Sequence, residues 1–326
     1  MRITILVDNR LSDSATEFAP NASVSTAKLQ NEHGLSLFIT TDDGEDIICD
    51  TGASGLFLEN AQKLGIDPQI ADFAFISHAH NDHTGGLKAL LAAYDDIPIF
   101  MSINAFKYNC YSNRQRQPLQ GSNEPNNLPN SSNEPNRLDG LKMRDISIDQ
   151  SILKDYPYSS IRYIDHSQWV TDSIAVICNG TKDKTSKSEQ TSKYNLPIGN
   201  RHLYKKPINS DEIVLDDFDH EMSLAIKTLE GLIIISSCTH SGAANIIKDC
   251  IDFTGQTKIR AFVGGLHLVN HPDVKEEALA VLHELTSLYP EMKIITGHCT
   301  CDEAIKVMEE NSPMVSHFYT GLSLDF

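Results

Sequence analysis

Nowhere in the 326 residues is there a run approaching the ~18–20 apolar residues that a membrane-spanning helix needs. Positive charge is also scarce. Lys and Arg number 27 against 44 Asp and Glu, a formal net charge of −17, which argues against a nucleic-acid surface, because phosphate contacts need clustered basic side chains. The seven cysteines are odd in number and follow no small-scaffold spacing. A disulfide framework is therefore not expected, and a reducing compartment is. There is no C-x-x-C pair for dithiol chemistry, and no second C-x-C to join Cys299 and Cys301 in a cysteine zinc site. The opening segment MRITILVDNR has one positive charge and five apolar residues before Asp8, too few for a secretory leader. A soluble cytoplasmic protein is expected.

What the chain does have is 40% hydrophobic residues, ample for a large core, arranged as short apolar runs alternating with helical patterns. Strands are expected at 3–7, 35–40, 47–49, 73–76, 97–101, 161–163, 174–177, 232–235, 259–263 and 293–295. Helices are expected at 55–64, 87–94, 243–250, 274–288 and 302–311. The class is α/β, with TDDGE (41–45) reading as a hairpin turn. Similar element orders over about 1–155 and 156–326 suggest one domain of two like halves, a sandwich of sheets faced by helices. Residues 112–137 break the pattern. They contain no apolar run and repeat SNEPN at 122–126 and 132–136, a composition that buries too little to offset its ordering entropy. This insert reads as a tolerated surface loop or as a lid. A second polar loop, 179–206, carries Lys182, Lys184, Lys187, Lys193, Lys205 and Lys206; it is a solvated loop or a source of cations for an anionic substrate.

The chemistry concentrates in FAFISHAHNDHTGGL (73–87), where an apolar strand runs into His78, His80, Asp82 and His83. Imidazole nitrogen and carboxylate oxygen are ligands that zinc and similar divalent ions prefer. Residues two apart on an extended segment share a face, so His78 and His80 can hold one ion. The turn that follows can bring Asp82 and His83 to a second. LIIISSCTHSG (232–242) is another apolar run that opens into a polar loop, with Cys238 and His240 two positions apart.

HAHNDH matches in full the HxHxDH signature of the metallo-β-lactamase superfamily, which the chain resembles. LVDN (6–9), EHGLS (32–36), DTGAS (50–54), GLIIISSCTH (231–240), GGLHL (264–268) and TGHCT (296–300) further resemble one subfamily. Its members are described as metal-dependent hydrolases or as 7,8-dihydropterin-6-methyl-4-(β-D-ribofuranosyl)-aminobenzene-5′-phosphate synthases. The resemblance implies a four-layered αββα sandwich and two divalent metal ions, zinc first, with manganese or iron(II) as alternatives.

It also implies further ligands at later strand ends: a histidine, a bridging aspartate and a last histidine. His298 is the last ligand. Where a Gly-Asp is expected the chain has Ser237-Cys238, so Cys238 supplies a thiolate, or His240 reaches back to complete the site, or the second metal is weak; His240 is the preferred ligand. His267 is a ligand, a proton donor to the leaving group, a residue supporting the ligands or a substrate contact, and His220 is a further candidate ligand. His33 is expected to line the substrate pocket and Asp50 to orient a ligand histidine. The implied activity is a hydrolase directing a metal-bound hydroxide at a small anionic substrate such as a phosphate ester, with Asp82 as the catalytic carboxylate. The alternatives are the pterin-related synthase, a di-iron redox protein and a non-catalytic binding module. No nucleic-acid or membrane partner is expected.

Overall fold

Four consecutive apolar residues, Leu232 to Ile235, can be buried in a strand only if both of its faces are covered. In the computed structural model both are. Leu232 and Ile234 pack against helices, and Ile233 and Ile235 pack against a second sheet. The structure describes residues 1–11, 22–25, 27–114, 137–138, 141–156, 161–179 and 196–326. Residues 115–136 of the polar insert and 180–195 of the lysine-rich loop lie outside them.

The first sheet runs, in spatial order, Ile161–Ile164, Ile99–Ser102, Phe73–Ile76, Asp46–Cys49, Ser36–Thr40, Arg2–Val7, Leu322–Asp325, Ala22–Val24. The second runs Gln168–Trp169, Ile174–Cys178, Met222–Thr228, Gly231–Ile235, Ile259–Gly264, Lys293–Thr296, Val315–His317. Alternate side chains of both sheets, including Ile5, Leu37, Phe75, Val176, Leu224, Ile235 and Val263, form the layer between them. Helices Leu56–Lys63 and Leu87–Ala93 cover the outer face of the first sheet. Ala243–Thr254, Val274–Leu288 and Asp302–Asn311 cover that of the second. The result is the four-layered αββα sandwich.

Each sheet contains a parallel block: Asp46–Cys49 to Ile161–Ile164 in the first, and Gly231–Ile235 to Val315–His317 in the second. Parallel strands end together, so the loops following 73–76, 231–235, 259–264 and 293–296 gather on one rim, where α/β proteins place their chemistry. Several strands escaped the sequence reading. Met222–Thr228 mixes Ser223 and Lys227 into its apolar positions. Leu322–Asp325 is short and leaves its own half to pair with Arg2–Val7 across the first sheet. Among the described residues, no helix is long and apolar enough to cross a membrane.

Leu224, fully buried between the sheets, tests the layer order. Leu224→Ala should cost about 2–5 kcal/mol in denaturant unfolding; a change within about 0.5 kcal/mol, typical of surface positions, would contradict it.

Candidate metal centre

The strand Phe73–Ile76 ends at Ser77, the backbone stays extended to His80, and Asn81–Thr84 then forms one helical turn. Asn81 donates its backbone N–H to Ile146 O at 2.8 Å where the turn begins, and the glycines after it set how closely it packs. A Cβ on Gly86 would lie 2.2 Å from Thr51 O and 2.3 Å from Ser54 O, so only glycine lets the turn press against the DTGAS loop. Likewise a Cβ on Gly264 would lie 1.8 Å from Ser236 O, and its absence lets the GGLH and SSCTH loops meet. Among the described residues, five non-glycine residues have positive φ: Asp50, Phe218, Thr239, His267 and His298. All five belong to the loops around this centre. Such conformations cost about 1–3 kcal/mol each and persist only where their surroundings enforce them.

The surroundings are hydrogen bonds to the outer edges of the rings. A neutral imidazole carries one N–H and one lone pair, so an acceptor at one nitrogen leaves the other bare. His83 Nδ1 lies 2.8 Å from Asp50 Oδ2. His298 Nδ1 lies 3.1 Å from Asn9 Oδ1, and the Asn9 amide is oriented by donating to His298 O. Ser77 Oγ donates to Asp50 Oδ2 and so accepts from His78 Nδ1 at 2.9 Å. His240 Nδ1 lies 3.1 Å from Asn200 Oδ1, in an amide fixed by its bond to His240 O. Each ring therefore turns a bare Nε2 inward.

The bare nitrogens meet. His83 Nε2 and His298 Nε2 are 3.0 Å apart, and with both rings neutral and protonated at Nδ1 neither would have a proton to give the other. His78 Nε2 faces His80 Nδ1 at 3.1 Å, and His240 Nε2 is buried with no hydrogen-bond partner. Cys238 Sγ lies 3.2 Å from His83 Nε2. It belongs to two groups whose donor atoms lie within 4.8 Å of one another, one with His78 and His240, the other with His83 and His298. Asp82 Oδ2 adjoins the second group, 3.6 Å from His298 Nε2 and 3.8 Å from His83 Nε2.

Facing lone pairs, an orphaned nitrogen, a thiol and a carboxylate are a donor set that divalent cations fit. Electrostatics separate the rings: burial lowers His83, but Asp82 and Asp50 outweigh it and raise it, whereas its neighbours are held low. Burial, then the neighbouring rings, hold His78 and His240 well below the usual imidazole range. His298 is also held low, by burial first and then by His83. Burial raises the Asp82 carboxyl, but His83, His33, His298 and His80 outweigh it and keep it ionised. Burial, then Cys299, pushes the Cys238 thiol up; a coordinated cation would deprotonate it.

The structure thus brings His78, His80, Asp82, His83, Cys238, His240 and His298 together. Cys238 and His240 both face the cluster. His220 lies beside the cluster, its ring 5.7 Å from that of His80. Its Nδ1 accepts from Ala79 N at 3.2 Å and its Nε2 lies 3.3 Å from Asp216 Oδ2, so it has no bare nitrogen to offer. His80, Cys110, Asp216 and His220 also form a compact group, in which Asp216 Oδ2, 3.7 Å from His80 Nε2, backs that ring. His267 packs its ring 4.3 Å from that of His240, with a buried, unpartnered Nδ1. His33 sits at the mouth, partly exposed, its Nε2 3.4 Å from Asp82 Oδ2.

Several supporting residues carry no sequence signal of their own. Glu221 accepts from the backbone N–H groups of His240 and Ser241 at 2.6 and 2.7 Å. Phe218 stacks on His240 at 4.2 Å and 4°. Asp8 accepts from His298 N at 2.7 Å. The LVDN motif could have flagged Asp8 and Asn9, but Asn200, Asp216 and Phe218 lie in loops without a motif. The lysine expectation is corrected where it can be seen. Lys205 is buried against Asp217 and Asp219, and Lys206 pairs with Asp211, so carboxylates already neutralise both; Lys182, Lys184, Lys187 and Lys193 lie outside the described residues.

The sequence pattern of the metallo-β-lactamase superfamily matches residues 30–178, the span that contains HAHNDH. Over that span the chain is similar to the metallo-β-lactamase superfamily. The chain is 28% identical over 302 residues to the 7,8-dihydropterin-6-methyl-4-(β-D-ribofuranosyl)-aminobenzene-5′-phosphate synthase of Methanocaldococcus jannaschii, covering 91% of this chain and 90% of that one. A crystal structure of a metal-dependent hydrolase of the β-lactamase superfamily shares the fold at TM-score 0.70 and 22% identity, covering 100% of this chain and 99% of the other. Zn2+-bound PqqB from Methylobacterium extorquens does so at TM-score 0.50 and 9% identity, with 100% of both chains covered.

Asn9→Ala removes the acceptor that sets the His298 tautomer. Metal affinity, measured by competition with a chelating dye, should fall about 10–100-fold, whereas unchanged affinity would show that the ring needs no such partner.

Proposed function

We propose that this protein is a metal-dependent hydrolase acting on a small anionic substrate, with a phosphate ester as the leading case. The observation that carries the reading is the convergence of bare imidazole nitrogens with Cys238 and Asp82. His78, His80 and His240 would hold one divalent ion and Asp82, His83 and His298 a second, with Cys238 Sγ shared where relatives place a carboxylate. Zinc suits this donor set. Ions held there supply Lewis acidity and lower the pKa of nearby water.

The chain's own groups supply the rest. Asp82, ionised and partly exposed at the mouth, is placed to orient an attacking water and accept its proton. His33 beside it is placed to contact substrate. Asp50, Asn9 and Asn200 keep the rings in their productive tautomers, so no reorganisation is needed when charge develops.

A second reading, a pterin-related synthase, is supported by the relative at 28% identity, which covers nearly the whole chain. In it the same centre would stabilise anionic charge during bond formation rather than hydrolysis.

Elemental analysis of metal-replete protein should find about two divalent ions per chain; none would overturn both readings. A panel of phosphomonoesters, phosphodiesters, lactones and thioesters should show turnover for the hydrolase, while turnover only of a pterin with an aminobenzene riboside would favour the synthase. Asp82→Ala should lower kcat by about 10²–10⁴-fold with the circular dichroism spectrum unchanged. Full activity in that variant would remove its role.

A further inference from the structure

Several described cations of this acidic chain are matched by carboxylates. Arg2 pairs with Asp325, Arg10 with Asp302, Lys88 with Asp149, Arg260 with Glu230 and Lys275 with Glu303. Arg114 is different. It is half-buried, and its one guanidinium hydrogen bond to a described residue runs from Nη2 to the carbonyl of Asn270 at 2.9 Å. No described carboxylate lies within ion-pair distance of it. A guanidinium partly withdrawn from water without a counter-charge is costly, and an anionic ligand offsets that cost.

Its position ties it to the metal centre from two sides. Asn270, which holds Nη2, lies three residues beyond His267 on the same loop. On the other side, Asn113 donates its backbone N–H to His202 O at 3.1 Å and faces His202 Nδ1 at 2.8 Å through Oδ1. His202 closes the short helix Ile198–His202, whose Asn200 fixes the His240 ring. In that helix, a Cβ on Gly199 would lie 3.0 Å from His267 Nδ1. Arg114 therefore spans the seam between the loop bearing His267 and the helix bearing Asn200. Beside the same seam, His267 Nδ1 is a buried hydrogen-bonding atom with no partner.

We infer that Arg114 is a specificity-determining residue that binds the acidic group of the substrate, a phosphate or carboxylate, at the seam beside the metal centre. The inference rests on the reading of that centre as one acting on a small anionic substrate. The fork of Nε and Nη1, engaged by no described residue, matches two oxygens of either group, a geometry that lysine cannot reproduce. A substrate anion at the seam would meet the Arg114 guanidinium, with His202 and His267 beside it.

The test uses metal-loaded full-length protein, with phenyl phosphate, benzoate and the uncharged control benzyl alcohol as calorimetric probes. In Arg114→Gln the affinity for the preferred anion should fall about 10–100-fold, the loss expected for a charged hydrogen bond of about 1.5–3 kcal/mol, with metal content and Tm as in the wild type. Binding of the alcohol should be unaffected. Arg114→Lys keeps the charge and loses the fork, and should show an intermediate loss; it also serves if the glutamine variant fails to fold. The anion whose affinity depends on Arg114 identifies the acidic group as phosphate or carboxylate. Equal anion affinity in wild type and both variants, or no anion binding by the wild type, overturns the inference. A wild type that binds anion through Arg114 but retains no metal would sustain it and overturn the metal reading instead.

Discussion

The carboxylate of Asp50 is the constraint on which the centre depends. Fully buried and in a left-handed backbone conformation, it accepts from Ser77 N, Ser77 Oγ and His83 Nδ1. Two of those bonds act on rings, one directly on His83 and one relayed through the serine to His78. A single acid thus sets tautomers in both halves of the donor cluster. Burying a charge in this way is tolerable because each oxygen is satisfied by donors. The cost of its backbone conformation is borne by the DTGAS loop, which Glu32 grips through Ala53 N, Ser54 N and Ser54 Oγ. The same device recurs with different chemistry at His298, held by Asp8 and Asn9, and at His240, held by Asn200 and Glu221.

Much of this was legible beforehand, because ligand spacing is a local property. His78, His80, Asp82 and His83 lie within six residues, and a strand end followed by Gly85-Gly86 dictates how they fan out. The apolar runs at 73–76 and 232–235 named their strands because both faces are buried. Strands with only partial apolar character, such as Met222–Thr228, needed tertiary pairing to reveal them. So did Leu322–Asp325, whose partner lies at the far end of the chain.

What the sequence hid in the centre follows the same division. Cys238 and His240 looked like alternatives because a linear motif suggests one ligand per slot; their convergence from a left-handed turn at Thr239 is a three-dimensional fact. His220 stands in a second buried group with His80, Cys110 and Asp216, a grouping no local pattern records. Arg114 stood in a polar stretch where nothing distinguished it from Arg116.

The pairing of Arg2–Val7 with Leu322–Asp325, joined by a hydrogen bond between residues 323 positions apart, has a kinetic consequence. The backbone of His298 is clamped by Asp8 and Asn9, 290 and 289 residues earlier. Contacts of such sequence separation close late, because loop-closure entropy must be met before they form. During synthesis the first half can collapse around its own helices, leaving His78, His80 and His83 assembled and bare at an open rim. The second group of donors exists only once the last strands have docked. The centre is therefore among the final parts of the molecule to form, and any ion it held would report on completion of the whole fold.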